Sequence, residues 1–106
     1  MELKGAFTAI VTPFSKGKVD YAKLASLVEI QIESGIDGIV PVGTTGESPT
    51  LTIEEHVKVI ETVIQKAKGR CKIIAGTGAN STAEAIELTM FAKRAGSDAT
   101  LQVTPY

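Results

Sequence analysis

Gly43-Thr44-Thr45-Gly46-Glu47-Ser48 is the string in this chain best equipped for chemistry. Its glycines let the backbone turn sharply and come close to a ligand. Two adjacent hydroxyls and free N–H groups can hold a carboxylate or a phosphate. The same string also reads as a glycine-rich turn whose threonine hydroxyls bond their own backbone. It is not a Walker loop, because no Gly-Lys-Ser/Thr follows. Gly76-Thr77-Gly78-Ala79-Asn80 is not a dinucleotide fingerprint, because Ser81 stands where the third glycine belongs. Its spacing alone suits a tight strand-to-helix turn. His56 is the only histidine. It lies beside an apolar helix stripe and reads as a boundary residue rather than a base. No His or Cys pair has ligand spacing, so neither a metal nor a cofactor is expected. The single cysteine, Cys71, rules out an intramolecular disulfide and reads as a small buried hydrophobe at a strand start. Glu47, Glu84 and Asp98 form no recognisable carboxylate pair, and Glu84 is explained as a cap. Tyr106 follows a strand, where an aromatic serves function and packing equally well.

These residues need a scaffold, and the chain spells one out. Apolar runs at Phe7–Val11, Gly38–Val42, Lys72–Ala75 and Ala99–Val103 are rich in Ile and Val without strict polar alternation. Such runs suit strands buried on both faces, as in parallel sheets. Three helical segments separate them. The first follows Asp20, a good N-cap, and carries Leu24, Leu27 and Val28 toward Gly35. The second starts at Thr52 with Glu55 three residues on, a capping box, and its apolar stripe is Ile53, Val57, Ile60, Ile64 and Ala67. The third starts at Ser81 with Glu84 three on, another capping box, carries Ile86 and Met90, and stops near Gly96. The order is βαβαβαβ. The strand-to-helix loops hold the hydroxyl- and glycine-rich strings, and in α/β proteins that is the functional side.

Composition narrows the class. The chain has 106 residues, 43% hydrophobic and 22% charged, with a formal net charge of −1. That is material for one core and one domain. No basic stripe appears, so neither nucleic acid nor a membrane surface is an expected partner. The first residues lack a signal-peptide apolar region, and no run approaches the ~20 residues of a membrane span. With one cysteine, a reducing compartment fits, and the expected localisation is cytoplasmic. A βαβαβαβ order suits an open doubly wound sheet or the first part of a (β/α)8 barrel, which needs roughly 250 residues. No helix follows the last strand to cover it, so the expectation is a partial TIM barrel: residues 1–106 as the amino-terminal part of one catalytic domain. A small non-enzymatic open-sheet α/β domain is the competing reading.

Gly43-Thr44-Thr45-Gly46-Glu47-Ser48-Pro49-Thr50-Leu51-Thr52 with Glu54-Glu55-His56 resembles the dihydrodipicolinate synthases of the pyruvate-dependent class I aldolase superfamily. Ala9-Ile10-Val11-Thr12-Pro13-Phe14, the run from Ile73 to Ala85, and Val103-Thr104-Pro105-Tyr106 extend the likeness over the whole chain, which would be about the first third of the family's length. The resemblance implies a lyase that condenses pyruvate with aspartate semialdehyde in lysine biosynthesis, through a Schiff base on a lysine. It implies that Thr44 links two tyrosines in a proton relay. It implies that Thr45, with Gly46 beside it, holds the pyruvate carboxylate. Pro49, His56, Asn80, Glu84 and Tyr106 match positions that bind inhibitory lysine at a subunit interface in feedback-sensitive members, although Pro49 and Ile53 depart from the more polar pattern of some of them. The family is usually a homotetramer of tight dimers. The resemblance implies that the Schiff-base lysine, the proton-donor tyrosine, the carboxylate-binding arginine and the partner tyrosine after Tyr106 lie beyond this chain; none of its own lysines ends a strand, and the chain alone is expected to be inactive. Sister aldolases, N-acetylneuraminate lyase and keto-deoxy-sugar-acid aldolase, share the scaffold. The Thr44-Thr45 pair, Thr77-Gly78-Ala79-Asn80 and Thr104-Pro105-Tyr106 favour the synthase.

Overall fold

The computed structural model describes residues 2–106. Its elements run β1 (Phe7–Ala9), β2 (Phe14–Ser15), β3 (Lys18–Val19), α1 (Tyr21–Glu33), β4 (Gly38–Val40), a 3-10 turn (Ser48–Thr50), α2 (Ile53–Ala67), β5 (Lys72–Gly76), α3 (Thr82–Ala95) and β6 (Ala99–Leu101). Four strands form one sheet in the order β1-β4-β5-β6. All three pairings are parallel, with Phe7 opposite Gly38, Gly38 opposite Lys72 and Ile74 opposite Ala99. Strand order in space follows strand order in the chain. A doubly wound sheet reverses direction and puts helices on both faces. Right-handed crossovers that always step the same way put every helix on one face. Here α1 packs on α2 and α2 on α3, which is the barrel-type winding.

The ends of the helices follow their local chemistry. Asp20 caps α1 by accepting from Lys23 N–H at 2.9 Å. Thr52 and Glu55 form the reciprocal capping box, at 3.1 Å and 2.9 Å. At α3 only half the expected box forms: Ser81 Oγ accepts from Glu84 N–H, and the Glu84 carboxylate does not return to Ser81. Side-chain burial also differs from the pattern read from sequence. The buried face of α2 is His56, Val59, Ile60, Val63 and Ala67, so Ile53, Val57 and Ile64 lie on its flanks. In α3 the buried residues are Leu88 and Ala92, while Ile86 and Met90 are more than half exposed. Cys71 is only partly buried.

The core lies between the sheet and the helices, built from Leu24, Val28, Ile39, Ile60, Val63 and Ile73 with their neighbours. The central strands are buried along most of their length and the outer ones only partly. Two aspartates repeat one job at the starts of β4 and β6. Asp37 Oδ2 accepts from Ala6 N–H and Asp98 Oδ2 from Ile73 N–H, each at 2.8 Å, so each ties its strand to the one before. The β2–β3 hairpin was not expected from sequence. Its turn is Lys16-Gly17, both with positive φ (54° and 78°), as a two-residue turn of this hand requires.

Candidate functional site at the carboxyl ends of the strands

The segments after β1, β4, β5 and β6 meet at one end of the sheet. Buried Thr12, after β1, donates its hydroxyl to Gly46 O at 2.7 Å. Gly46 N–H donates to Gly43 O at 3.1 Å, so Gly46 has both backbone groups occupied. It is also packed: a Cβ there would lie 3.0 Å from Val42 backbone and 3.2 Å from Ile10 O. Gly46 therefore sets the shape of the loop. Val42 and Glu47, which flank the turn, have left-handed φ of 54° and 61°. For a buried β-branched residue such as Val42 that is a strained conformation, of the kind that surrounding structure must impose. Gly76, at the end of β5, supplies part of the constraint. Its N–H donates to Pro41 O at 2.9 Å, and a Cβ on it would collide with Val42 O and Gly43 N.

Thr44 is exposed at the tip of this loop, and its hydroxyl lies 2.8 Å from the Tyr106 hydroxyl. Hydrogen bonding from Thr44, and then from Ser48, holds the Tyr106 phenol below its ordinary pKa. Thr45 is exposed beside Thr44, with no partner for its hydroxyl or its N–H among the described residues. The Tyr106 backbone N–H donates to Asn80 Oδ1. Beneath this contact lies a cavity of about 120 Å³ whose lining includes Pro49, His56, Asn80, Glu84 and Tyr106. Half of the capping box at Glu84 is missing on this side. A second, smaller crevice of about 30 Å³ runs past Thr44, Ser48, Gly76 and Gly78. His56 is buried, at 3% exposure, rather than a boundary residue. Its Nε2 lies 2.6 Å from Gly76 O. Burial pushes its pKa down, against a smaller upward push from that carbonyl.

Every site residue named from sequence therefore falls on this end of the sheet. Tyr106 touches both Thr44 and Asn80. Pro49, His56, Asn80, Glu84 and Tyr106 share one cavity. Sequence reasoning missed the supports: Thr12, Ser48, Val42, Gly76 and the hydroxyl of Thr77. The string Gly76-Thr77-Gly78 held a signal, since glycine is what a backbone in close contact requires.

A family model described as the dihydrodipicolinate synthetase family matches residues 2–106. The chain belongs to that family. It is 58% identical over 105 residues to the 4-hydroxy-tetrahydrodipicolinate synthase of Bradyrhizobium diazoefficiens, covering 99% of this chain and 36% of that protein. It superposes with a TM-score of 0.93 on the crystal structure of the chloride-inhibited dihydrodipicolinate synthase of Acinetobacter baumannii complexed with pyruvate, at 57% identity, covering 99% of this chain and 36% of that one. The dihydrodipicolinate synthase of Cyanidioschyzon merolae with lysine bound gives a TM-score of 0.89 at 47% identity, covering 95% of this chain and 35% of that one. The chain spans about a third of the length of these family members, and its four-stranded parallel sheet is part of a TIM barrel. Within the family's part seen here, no lysine ends a strand of that sheet. Lys72 opens β5, Lys58, Lys66 and Lys93 sit in helices, and Lys16 and Lys18 are exposed in the hairpin. No helix among the described residues is long and apolar enough to cross a membrane.

Proposed function

We propose that this chain is the part of a 4-hydroxy-tetrahydrodipicolinate synthase that clasps the acid end of pyruvate and begins the proton relay. The observation that carries the reading is the pair Thr44 and Thr45, exposed side by side on the loop after β4 at the carboxyl end of the sheet, with the Thr45 hydroxyl and N–H unpartnered among the described residues. Thr45 has the right groups for a carboxylate: an N–H and a hydroxyl, both without a partner among the described residues. Thr44 has the right groups for a relay, since a hydroxyl donates and accepts at once. The amine that forms the Schiff base with the pyruvate carbonyl, releasing water, belongs to the two thirds of the family's length that this chain does not span. Loss of a methyl proton then gives an enamine, whose carbon attacks the aldehyde of aspartate semialdehyde. The cavity lined by Asn80 and Glu84 suits the ammonium and carboxylate of a free lysine, as a site of feedback inhibition in a homo-oligomer. The reaction belongs in the cytoplasm.

In the full-length protein, Thr44→Val should lower kcat by about 10²-fold or more with little change in KM, because a relay acts only on the chemical step. Thr45→Val should raise KM for pyruvate by roughly tenfold to a hundredfold, the loss of one hydrogen bond to a charged group. Cleavage of sialic acid, with no condensation of pyruvate and aspartate semialdehyde, would refute the assignment in favour of a sister aldolase.

A further inference from the structure

The turn that presents Thr44 and Thr45 closes on itself. Gly46 N–H donates to Gly43 O at 3.1 Å, Glu47 N–H to Thr44 O at 2.9 Å and Ser48 N–H to Gly43 O at 3.4 Å. These bonds fix the shape of the turn. They do not fix where it stands on the end of the sheet, because every partner lies within the turn itself. Two contacts from outside do that. On the Gly43 side, Gly76 is so close that a Cβ on it would collide with Val42 O and Gly43 N. That contact is packing, and it limits movement in one direction only. On the Gly46 side, Thr12 Oγ1 donates to Gly46 O at 2.7 Å.

The Thr12 bond is the only one to Gly46 O among the described residues. Thr12 is 4% exposed and Gly46 is buried. A buried carbonyl that loses its one donor is poorly compensated, so the turn would shift to find another. Thr12 is itself anchored. Ile10 N–H donates to Val40 O at 3.2 Å and Asp20 N–H to Pro13 O at 2.8 Å, so backbone bonds hold the chain on both sides of it. The bonded carbonyl lies one residue past Thr45. Thr44 keeps its own carbonyl bond from Glu47, so a loosened Gly46 displaces Thr45 first.

We propose that Thr12 is a positioning residue: its buried hydroxyl, by holding Gly46 O, sets Thr45 where it meets the pyruvate carboxylate. It acts through the turn and not on the substrate. The inference rests on the carboxylate role given to Thr45 in the proposed function, and it names what keeps that residue in place.

Two readings in the full-length protein test it. The first is hydrogen exchange over residues 43–48 without pyruvate, by mass spectrometry. Thr12→Val keeps the shape of the side chain and loses its donor. Exchange over 43–48 should rise several-fold while α1 keeps the parent rate, and Thr12→Ser, which keeps the hydroxyl, should follow the parent. Thr12→Ala removes the same donor and takes the place of Thr12→Val should that variant not fold. The second reading is KM for pyruvate. Thr12→Val should raise it roughly twofold to tenfold, the worth of one neutral hydrogen bond, with a smaller change in kcat. In the Thr45→Val background the same change should add less than about twofold, because its route to the carboxylate is already gone. A change that merely loosened the fold would speed exchange in α1 as well and would multiply with Thr45→Val in full. Unchanged exchange over 43–48, an unchanged KM in Thr12→Val, or full multiplication of the two KM effects each overturns the proposal. If Thr45→Val itself leaves KM alone while exchange rises in Thr12→Val, the carboxylate role of Thr45 is what falls, and the hold of Thr12 on the turn stands.

Discussion

At the scale of single residues, His56 carries more of the site's structure than its chemistry suggests. The imidazole is buried, and its Nε2 meets Gly76 O at 2.6 Å, directly under the backbone that presses on Val42 and Gly43. Truncation to alanine removes that partner and opens a hole, at a cost of about 2–4 kcal/mol. Urea denaturation of His56→Ala against the parent measures this. The pH dependence follows from the direction of the shift. Burial lowers the folded pKa below the ordinary 6.5, so the folded state binds fewer protons than the unfolded state in that range. The contribution is fully present above about pH 6.5 and is lost as pH falls through the folded pKa. Stability measured in steps from pH 7.5 to 5 should fall in the parent, and a His56→Gln variant should lose that part of the dependence. Val42 makes the complementary point. Nothing in a valine announces a left-handed backbone, and only the crowding by Gly76 and Gly46 accounts for it.

At the scale of elements, the helix starts were legible and the helix faces were not. Asp20, Thr52 and Ser81 cap where their side chains and spacing say, because capping is settled within four residues. Thr52→Ala should destabilise the fold by about 1 kcal/mol, read as a lower thermal midpoint, since it removes one half of a formed box. Ser81→Ala should cost less, because the bond it removes is longer, 3.4 Å against 3.1 Å. The faces were misjudged because α2 is apolar over a broad arc. Ile53, Val57, Val59, Ile60, Val63 and Ile64 give several acceptable stripes. Which stripe turns inward depends on the neighbours: α1 on one side, α3 on the other and the sheet below. In α3 the same reasoning fails at Ile86 and Met90, which are exposed and lie with Gln102 around an apolar depression.

At the scale of the whole molecule, winding decides where chemistry can occur. Four parallel strands in chain order send every strand end to one side, and the loops that begin at Ile10, Pro41, Thr77 and Gln102 meet there. That arrangement brings Thr44 and Tyr106 together across 62 residues of chain. It also places the lysines elsewhere. Incubation of this chain with pyruvate and borohydride should therefore leave its mass unchanged, by mass spectrometry. Labelling of a specific lysine would show that an amine in this part of the barrel reaches the substrate.

The amino-acid string alone determined the order of the main strands and helices, the caps, and the loops that carry polar groups. Those are local matters, governed by hydrophobic period, turn residues and bonds spanning a few positions. Only the tertiary structure decided that the sheet winds one way rather than two, that His56 is buried on Gly76, that Val42 is strained and that Thr12 is bonded to Gly46. Each of those depends on contacts between residues distant in the chain, whose energies cannot be assigned until both partners have a place.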